Sequence, residues 1–229
     1  EKTVQNAREV QHPLGIALGL RYRAMILTDI GRFHDALENA KEAAAIANKV
    51  HDNEEEIGAK VAVARIHLAK EEWQECVDSL ADIDQLLRDG DLEGYAGVVE
   101  GWRARAYAKL GDMNAAKQHL SNSETISGRS WPHQMIRTLM VSAKALSAYG
   151  NLSKAVDAAE NALRMADESG YRLYSLNAHE LLGRLSSKEA SREMHFRVAR
   201  NLTKSLSANL SKEDAKSFIA MYRRQQGDE

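Results

Sequence analysis

Small side chains stand along this chain at a period of about forty residues. Ala24, Ala64, Ala104, Ala143 and Gly183 are separated by 40, 40, 39 and 40 positions. A second column keeps step just beyond it, with Gly31, Glu71, Gly111 and Gly150, and a third follows with Ala36, Cys76, Ala116 and Ala155. Around these columns the apolar residues fall at helical spacing. Ala36, Leu37, Ala40, Ala43, Ala44 and Ala47, for example, make one stripe of a helix. Polar linkers separate one block from the next. A period of this length is the signature of a stacked-repeat architecture, in which one supersecondary unit is copied along the chain.

Each unit reads as helix A, a tight turn, helix B and a linker. The units cover about 14–52, 54–90, 92–128, 131–170 and 171–206. The turns fall at Asp29-Ile30-Gly31-Arg32, Leu110-Gly111-Asp112 and Tyr149-Gly150-Asn151, where glycine just past the last helical residue is a stop signal. Glu71 replaces glycine at the second turn, at a cost of up to about 1 kcal/mol if the backbone there is left-handed. Ser130-Trp131-Pro132 reads as the start of the fourth unit, with proline in the first turn. In the fifth unit Ser186-Ser187-Lys188 stands in place of the glycine turn. A last helix over 211–226 opens on Ser211 and Asp214, a capping box with Asp for Glu. Its apolar face of Phe218, Ile219 and Tyr222 suits a helix that covers the end of a stack. Residues 1–11 read as the tail of a preceding helix, and the start at Glu1 as a piece of something longer.

The small columns have a packing reason. Antiparallel helices approach to about 8–10 Å only where small side chains face each other. The Ala24 column lies in helix A and the Ala36 column in helix B, twelve residues on, so the two are expected to meet inside each pair. The fold expected is all-α, a single elongated domain over 1–229. Composition agrees: aromatic residues are 6% and there are two prolines, too few sheet-forming residues for a large β structure.

Charge and cysteine usage narrow the setting. The net charge of −2 and pI near 6.5 exert no global pull toward nucleic acid or anionic lipid. One cysteine permits no internal disulfide, and no apolar run is long enough to span a bilayer. The expectation is a cytoplasmic protein with no membrane contact. The glycosylation-type triplets at Asn151, Asn201 and Asn209 are read as chance matches.

Two segments carry a family resemblance: Arg105-Ala106-Tyr107-Ala108-Lys109-Leu110-Gly111-Asp112-Met113-Asn114-Ala115-Ala116 and Lys144-Ala145-Leu146-Ser147-Ala148-Tyr149-Gly150-Asn151-Leu152-Ser153-Lys154-Ala155. Each places an aromatic or leucine before a glycine turn and an alanine five residues after that glycine. This pattern resembles tetratricopeptide repeats over about 14–206. It departs from the family's basic unit of about 34 residues, and the longer helices look like those of bacterial regulators of the maltose-activator type and of kinesin light chains. The C-terminal stretch Ala178-His179-Glu180-Leu181-Leu182-Gly183-Arg184-Leu185, with Ser207-Ala208-Asn209-Leu210 and Ala215-Lys216-Ser217-Phe218-Ile219, looks like the tail of large bacterial signalling ATPases and kinase-linked regulators. The resemblance implies a right-handed superhelical solenoid of about five antiparallel helix pairs with a C-terminal capping helix. It also implies a non-catalytic scaffold or sensor arm of a signalling or transcriptional regulator.

No constellation for catalysis stands out. His179-Glu180-Leu181-Leu182-Gly183 begins like a zinc-protease motif but has Gly183 where the second histidine is needed, so no metal is expected. Cys76 fits a buried small position, no phosphate-binding GxxxxGK[ST] loop occurs, and Gly15-Ile-Ala-Leu-Gly19 reads as close helix packing. The chain is expected not to be an enzyme and to need no cofactor.

The residue after each small one in helix A reads Met25, Arg65, Arg105, Lys144, Arg184, four of five basic. The family resemblance implies that this column faces a concave groove, beside Tyr22, Trp102, Val141 and Leu181 and beside Leu18, Val98, Arg137 and Asn177. Such a groove suits an acidic, partly hydrophobic peptide, because arginine can fork to a carboxylate while its stem covers apolar surface. That segment belongs to a partner protein or to another domain of the same longer chain. Pairing of these cations inside the array is the competing reading: Arg184 has Glu180 four residues before it, and Glu100 is a further candidate partner. A small-molecule effector held near Trp102 and Tyr107 is the alternative function. The charge balance argues against nucleic acid. Self-association through an apolar N-terminal face competes with any partner.

Overall fold

The computed structural model describes residues 2–81, 83, 84, 87, 93–127 and 132–226. Among them twelve helices follow one another and no strand occurs. The chain forms two compact units, Glu1–Tyr95 and Ala96–Glu229.

The first unit holds α1 (Lys2–Glu9), α2 (Pro13–Asp29), α3 (Phe33–Lys49), α4 (Asn53–Ala69) and α5 (Trp73–Leu80). α2 starts with Pro13 in its first turn and His12 Nδ1 accepting the Gly15 N–H at 2.8 Å. α4 starts with Asp52 accepting the Glu55 N–H at 2.8 Å, and Glu54, Glu55 and Glu56 crowd its positive end. Gly15 and Gly19 serve close packing. A Cβ on Gly19 would stand 2.9 Å from Val4 Cγ2 of α1. Val4, Leu20, Ala43 and Ala59 form one core cluster across four helices.

The second unit holds α6 (Glu93–Leu110, whose first residues belong to the preceding unit), α7 (Met113–Ser127), α8 (Pro132–Ala148), α9 (Leu152–Glu168), α10 (Arg172–Leu185), α11 (Glu189–Ser207) and α12 (Lys212–Gln226). Ile136, Met140, Ala143, Ala159, Ala162, Ala166, Ala178, Leu181 and Leu182 make its main core, joining α8, α9 and α10. The expected start at Ser130-Trp131 and the repeat limits at 90, 92, 128 and 131 lie outside the described residues.

The A-to-B turns share one stereochemistry. Gly31, Glu71, Gly111 and Gly150 have φ of 80, 62, 90 and 87°. At Gly31 the Arg32 N–H reaches the Leu27 carbonyl at 2.8 Å and the Gly31 N–H reaches Thr28 at 3.2 Å, a paired closure of the last helical turn. Glu71 repeats it, with Glu72 N–H to His67 at 2.9 Å and Glu71 N–H to Leu68 at 3.3 Å. A second left-handed set, invisible in the sequence reading, ends the B helices. Gln11, His51 and Gly170 have φ of 51, 57 and 70°, and the next residue's N–H closes on Ala7, Ala47 and Ala166 at 2.9, 3.0 and 2.8 Å.

The small columns are the centre of the packing. Ala24, Ala64, Ala104 and Ala143 are fully buried, as are Ala36, Cys76 and Ala155, with Ala116 at 4% exposure. At Gly183 a Cβ would stand 2.7 Å from the Phe196 ring, so glycine is what lets α11 approach α10. The last pair lacks a glycine turn, and Ser186 leaves the helix in an extended conformation. α12 opens on the expected cap: the Asp214 N–H donates to Ser211 Oγ at 3.2 Å and the Ser211 hydroxyl to Asp214 Oδ2 at 2.9 Å. Phe218 and Tyr222 are buried, and the Tyr222 hydroxyl donates to Asn177 Oδ1 of α10 at 2.7 Å.

Candidate functional site

The structure treats the members of the basic column differently. Arg65 on α4 is ion-paired with Asp29 at the end of α2, so this cation is engaged between successive repeats. Pairing inside the array, the competing reading, therefore holds for Arg65. Arg105 on α6 and Lys144 on α8 are half-buried, and Arg184 on α10 is exposed. Glu100, the carboxylate considered for this column, accepts from Arg103 Nη1 at 2.9 Å and Asn122 Nδ2 at 2.7 Å, and pairs with His119 Nδ1 at 3.0 Å. It ties α6 to α7 within one pair. The His119 ring stacks on Tyr107 at 5.3 Å between centroids.

The neighbouring columns depart from the groove expectation. Trp102 is 3% exposed, Val141 9%, Leu181 7% and Val98 2%. They are packing residues, and no incoming peptide reaches Trp102 without moving other side chains. Val141 closes on Gly101, where a Cβ would stand 3.0 Å from Val141 Cγ1. Leu181 sits in the core cluster with Met140. Arg137 lies over the Trp102 ring at 5.7 Å to the centroid, a cation–π contact of α8 on α6. Tyr22 alone of its column is open to solvent, at 52%, with Leu18 beside it at 40%. The physical reason is cover by a neighbouring helix, as where Val141 of α8 closes on Gly101 of α6 and Leu181 of α10 packs with Met140 of α8. Periodicity shows which residues are equivalent, and neighbouring helices decide which are covered.

Two polar constellations escaped the sequence reading. Arg21 of α2 meets Glu55 of α4 through two hydrogen bonds, Nε–Oε1 at 2.6 Å and Nη2–Oε2 at 3.1 Å, with both residues buried. Gly58 makes the space, since a Cβ there would stand 2.8 Å from Arg21 Cδ and Nε. The Arg21 guanidinium also lies 4.6 Å from the Tyr22 ring centroid. In the second unit His179 of α10 and His195 of α11 place their Nδ1 atoms 2.9 Å apart. Burial lowers the pKa of both. The neighbouring His195 lowers His179 further while Asp167 opposes, and Glu160 opposes the shift at His195. The signals were present as Arg21, Glu55, His179 and His195, but separations of 34 and 16 residues hide such pairs from a local reading.

A cleft of about 430 Å³ lies between α7, α8 and α9, lined by Glu124, Thr138, Leu139, Ser142, Leu146, Lys154, Asp157, Ala158 and Asn161. Neither Trp102 nor Tyr107 lines it. Among the described residues no group of three or more His, Cys, Asp or Glu side chains gathers to hold a metal, and no helix is long and apolar enough to cross a membrane.

The described residues thus define an all-α protein of paired helices consistent with a helical-repeat fold. No family model matches the chain, and no curated protein matches it.

Proposed function

We propose that the chain is a non-catalytic interaction module, a right-handed superhelix of tetratricopeptide-like helix pairs that binds an acidic, partly apolar protein segment. The observation that carries this reading is the repetition itself. A cation follows the buried small residue of helix A in four successive units, at Arg65, Arg105, Lys144 and Arg184, and such arrays expose long surfaces suited to extended ligands. The ordering cost of a flexible segment makes such binding moderate and readily exchanged. A role as scaffold or sensor arm of a larger cytoplasmic regulator of bacterial signalling or transcription follows from the tetratricopeptide likeness alone.

The test is a pull-down from source-cell lysate with the native chain and with Arg105→Glu, Lys144→Glu and Arg184→Glu combined, compared at equal helicity. Arg65 is left in place because its reversal would break the Asp29 contact and confuse folding with binding. A partner lost only with the reversed form supports the reading, and partners held equally by both forms overturn it. The cleft at Lys154, Asp157 and Glu124, with both signs of charge on its wall, favours a small zwitterionic effector as a second reading. A thermal shift that is abolished by Asp157→Ala would support that one.

A further inference from the structure

The first A helix carries an apolar ridge that its counterparts in later repeats bury. Leu14, Leu18, Tyr22 and Ile26 lie four residues apart on α2 and are 37, 40, 52 and 59% exposed. At the positions of α4 equivalent to Leu18, Tyr22 and Ile26, Gly58 is buried, Ala62 is 4% and Ile66 0% exposed. On α6 Val98, Trp102 and Ala106 are 2, 3 and 0% exposed, and on α8 Val141 and Ala145 are 9 and 2%. Where both helices belong to one unit the covering element is visible: α2 lies on α4 at Gly58 against Arg21, and α8 lies on α10 with Met140 and Leu181 in one cluster. The position on α2 is thus of a kind that, elsewhere in this chain, carries another helix.

We propose that a second copy of this chain supplies that helix, through a two-fold contact of α2 with α2. The ridge from Leu14 to Ile26 has no charged side chain, so two copies face each other without like-charge repulsion. Nearby charges are already engaged, Arg21 with Glu55, Arg8 with Glu42 and Asp29 with Arg65. Ridges of i, i+4 residues interdigitate with one another at about −50°, the commonest class of helix contact. A self-complementary patch closes as a dimer. The centre of the ridge lies between Leu18 and Tyr22, so these two fall nearest the axis. This association is independent of the basic column.

The test is the mass of the 229-residue chain in solution across a concentration series, by light scattering or sedimentation. The native chain is expected to move from 25.4 kDa toward twice that mass. Leu18→Glu with Tyr22→Glu is expected to weaken association at least about tenfold at unchanged circular dichroism, because both side chains are half-exposed in the monomer. Leu18→Cys is expected to cross-link two copies on oxidation, while Leu152→Cys, exposed on α9, does not. A native chain that stays monomeric throughout overturns the proposal and leaves the ridge to a helix of different origin. A dimer that survives the double glutamate variant overturns it as well.

Discussion

Arg21 and Glu55 form a two-point ion pair inside the helix stack, and Gly58 is the residue that admits it. Both partners are removed from water, so each depends on the other. Glu55→Ala strands a buried guanidinium and is expected to cost about 3–5 kcal/mol. Replacing both by apolar residues, Arg21→Met with Glu55→Leu, is expected to cost distinctly less, since no charge is left unpaired. Urea unfolding of the native chain, the single variant and the double variant measures the difference. Equal losses in the single and double variants would contradict this account.

Glu71 keeps a left-handed backbone at φ 62° where three other turns use glycine. Glu71→Gly removes the Cβ penalty and is expected to raise stability by up to about 1 kcal/mol, less the extra freedom glycine brings to the unfolded chain. The reverse change, Gly111→Ala at φ 90°, is expected to lower it. Thermal unfolding midpoints moving in opposite directions are the signature.

The close approaches within helix pairs tolerate no added volume. Ala104→Leu places three extra carbons at a fully buried site and is expected to cost about 1–3 kcal/mol. Gly183→Ala forces the Phe196 ring away from a 2.7 Å contact. Its cost is expected to shrink in a Phe196→Leu background, which denaturation of the double variant checks.

Acid stability has two identifiable contributions. Burial resists ionisation of Glu100, but His119, Asn122 and Arg103 outweigh it and bring its pKa from 4.5 to about 2. A carboxylate so depressed stabilises the fold fully above its unfolded value and loses that contribution as pH falls from 4.5 through 2, on the order of 3 kcal/mol in all. Glu100→Gln is expected to flatten the stability profile in that window. His179 and His195 have pKa values below 6.5, so the fold favours their neutral forms and loses stability as pH falls below 6.5. His179→Gln with His195→Gln is expected to remove that decline, and urea midpoints between pH 7 and 5 measure it.

Much of the fold was legible because packing at close range repeats. A helix that must approach its partner at Ala24 must do so again at Ala64, Ala104 and Ala143, and the sequence carries the ladder openly. The glycine turns were legible for the same reason, whereas His51 and Gln11 in left-handed conformation were not, since nothing in their side chains announces it. The candidate site was less legible. Tyr22, Trp102 and Val141 share one column, yet Tyr22 is open and Trp102 and Val141 are covered. Likewise Arg65 and Arg184 share a column, yet one is half-buried against Asp29 and the other is exposed. Exposure depends on which helix lies alongside, a property of three-dimensional neighbours rather than of period.

Cys76 occupies the buried small-residue column of α5 and is the chain's single thiol. An alkylating reagent cannot reach it while α5 rests on α4. The thiol therefore works as an intrinsic clock: its labelling rate counts how often this one helix pair comes apart, without any probe having to be introduced.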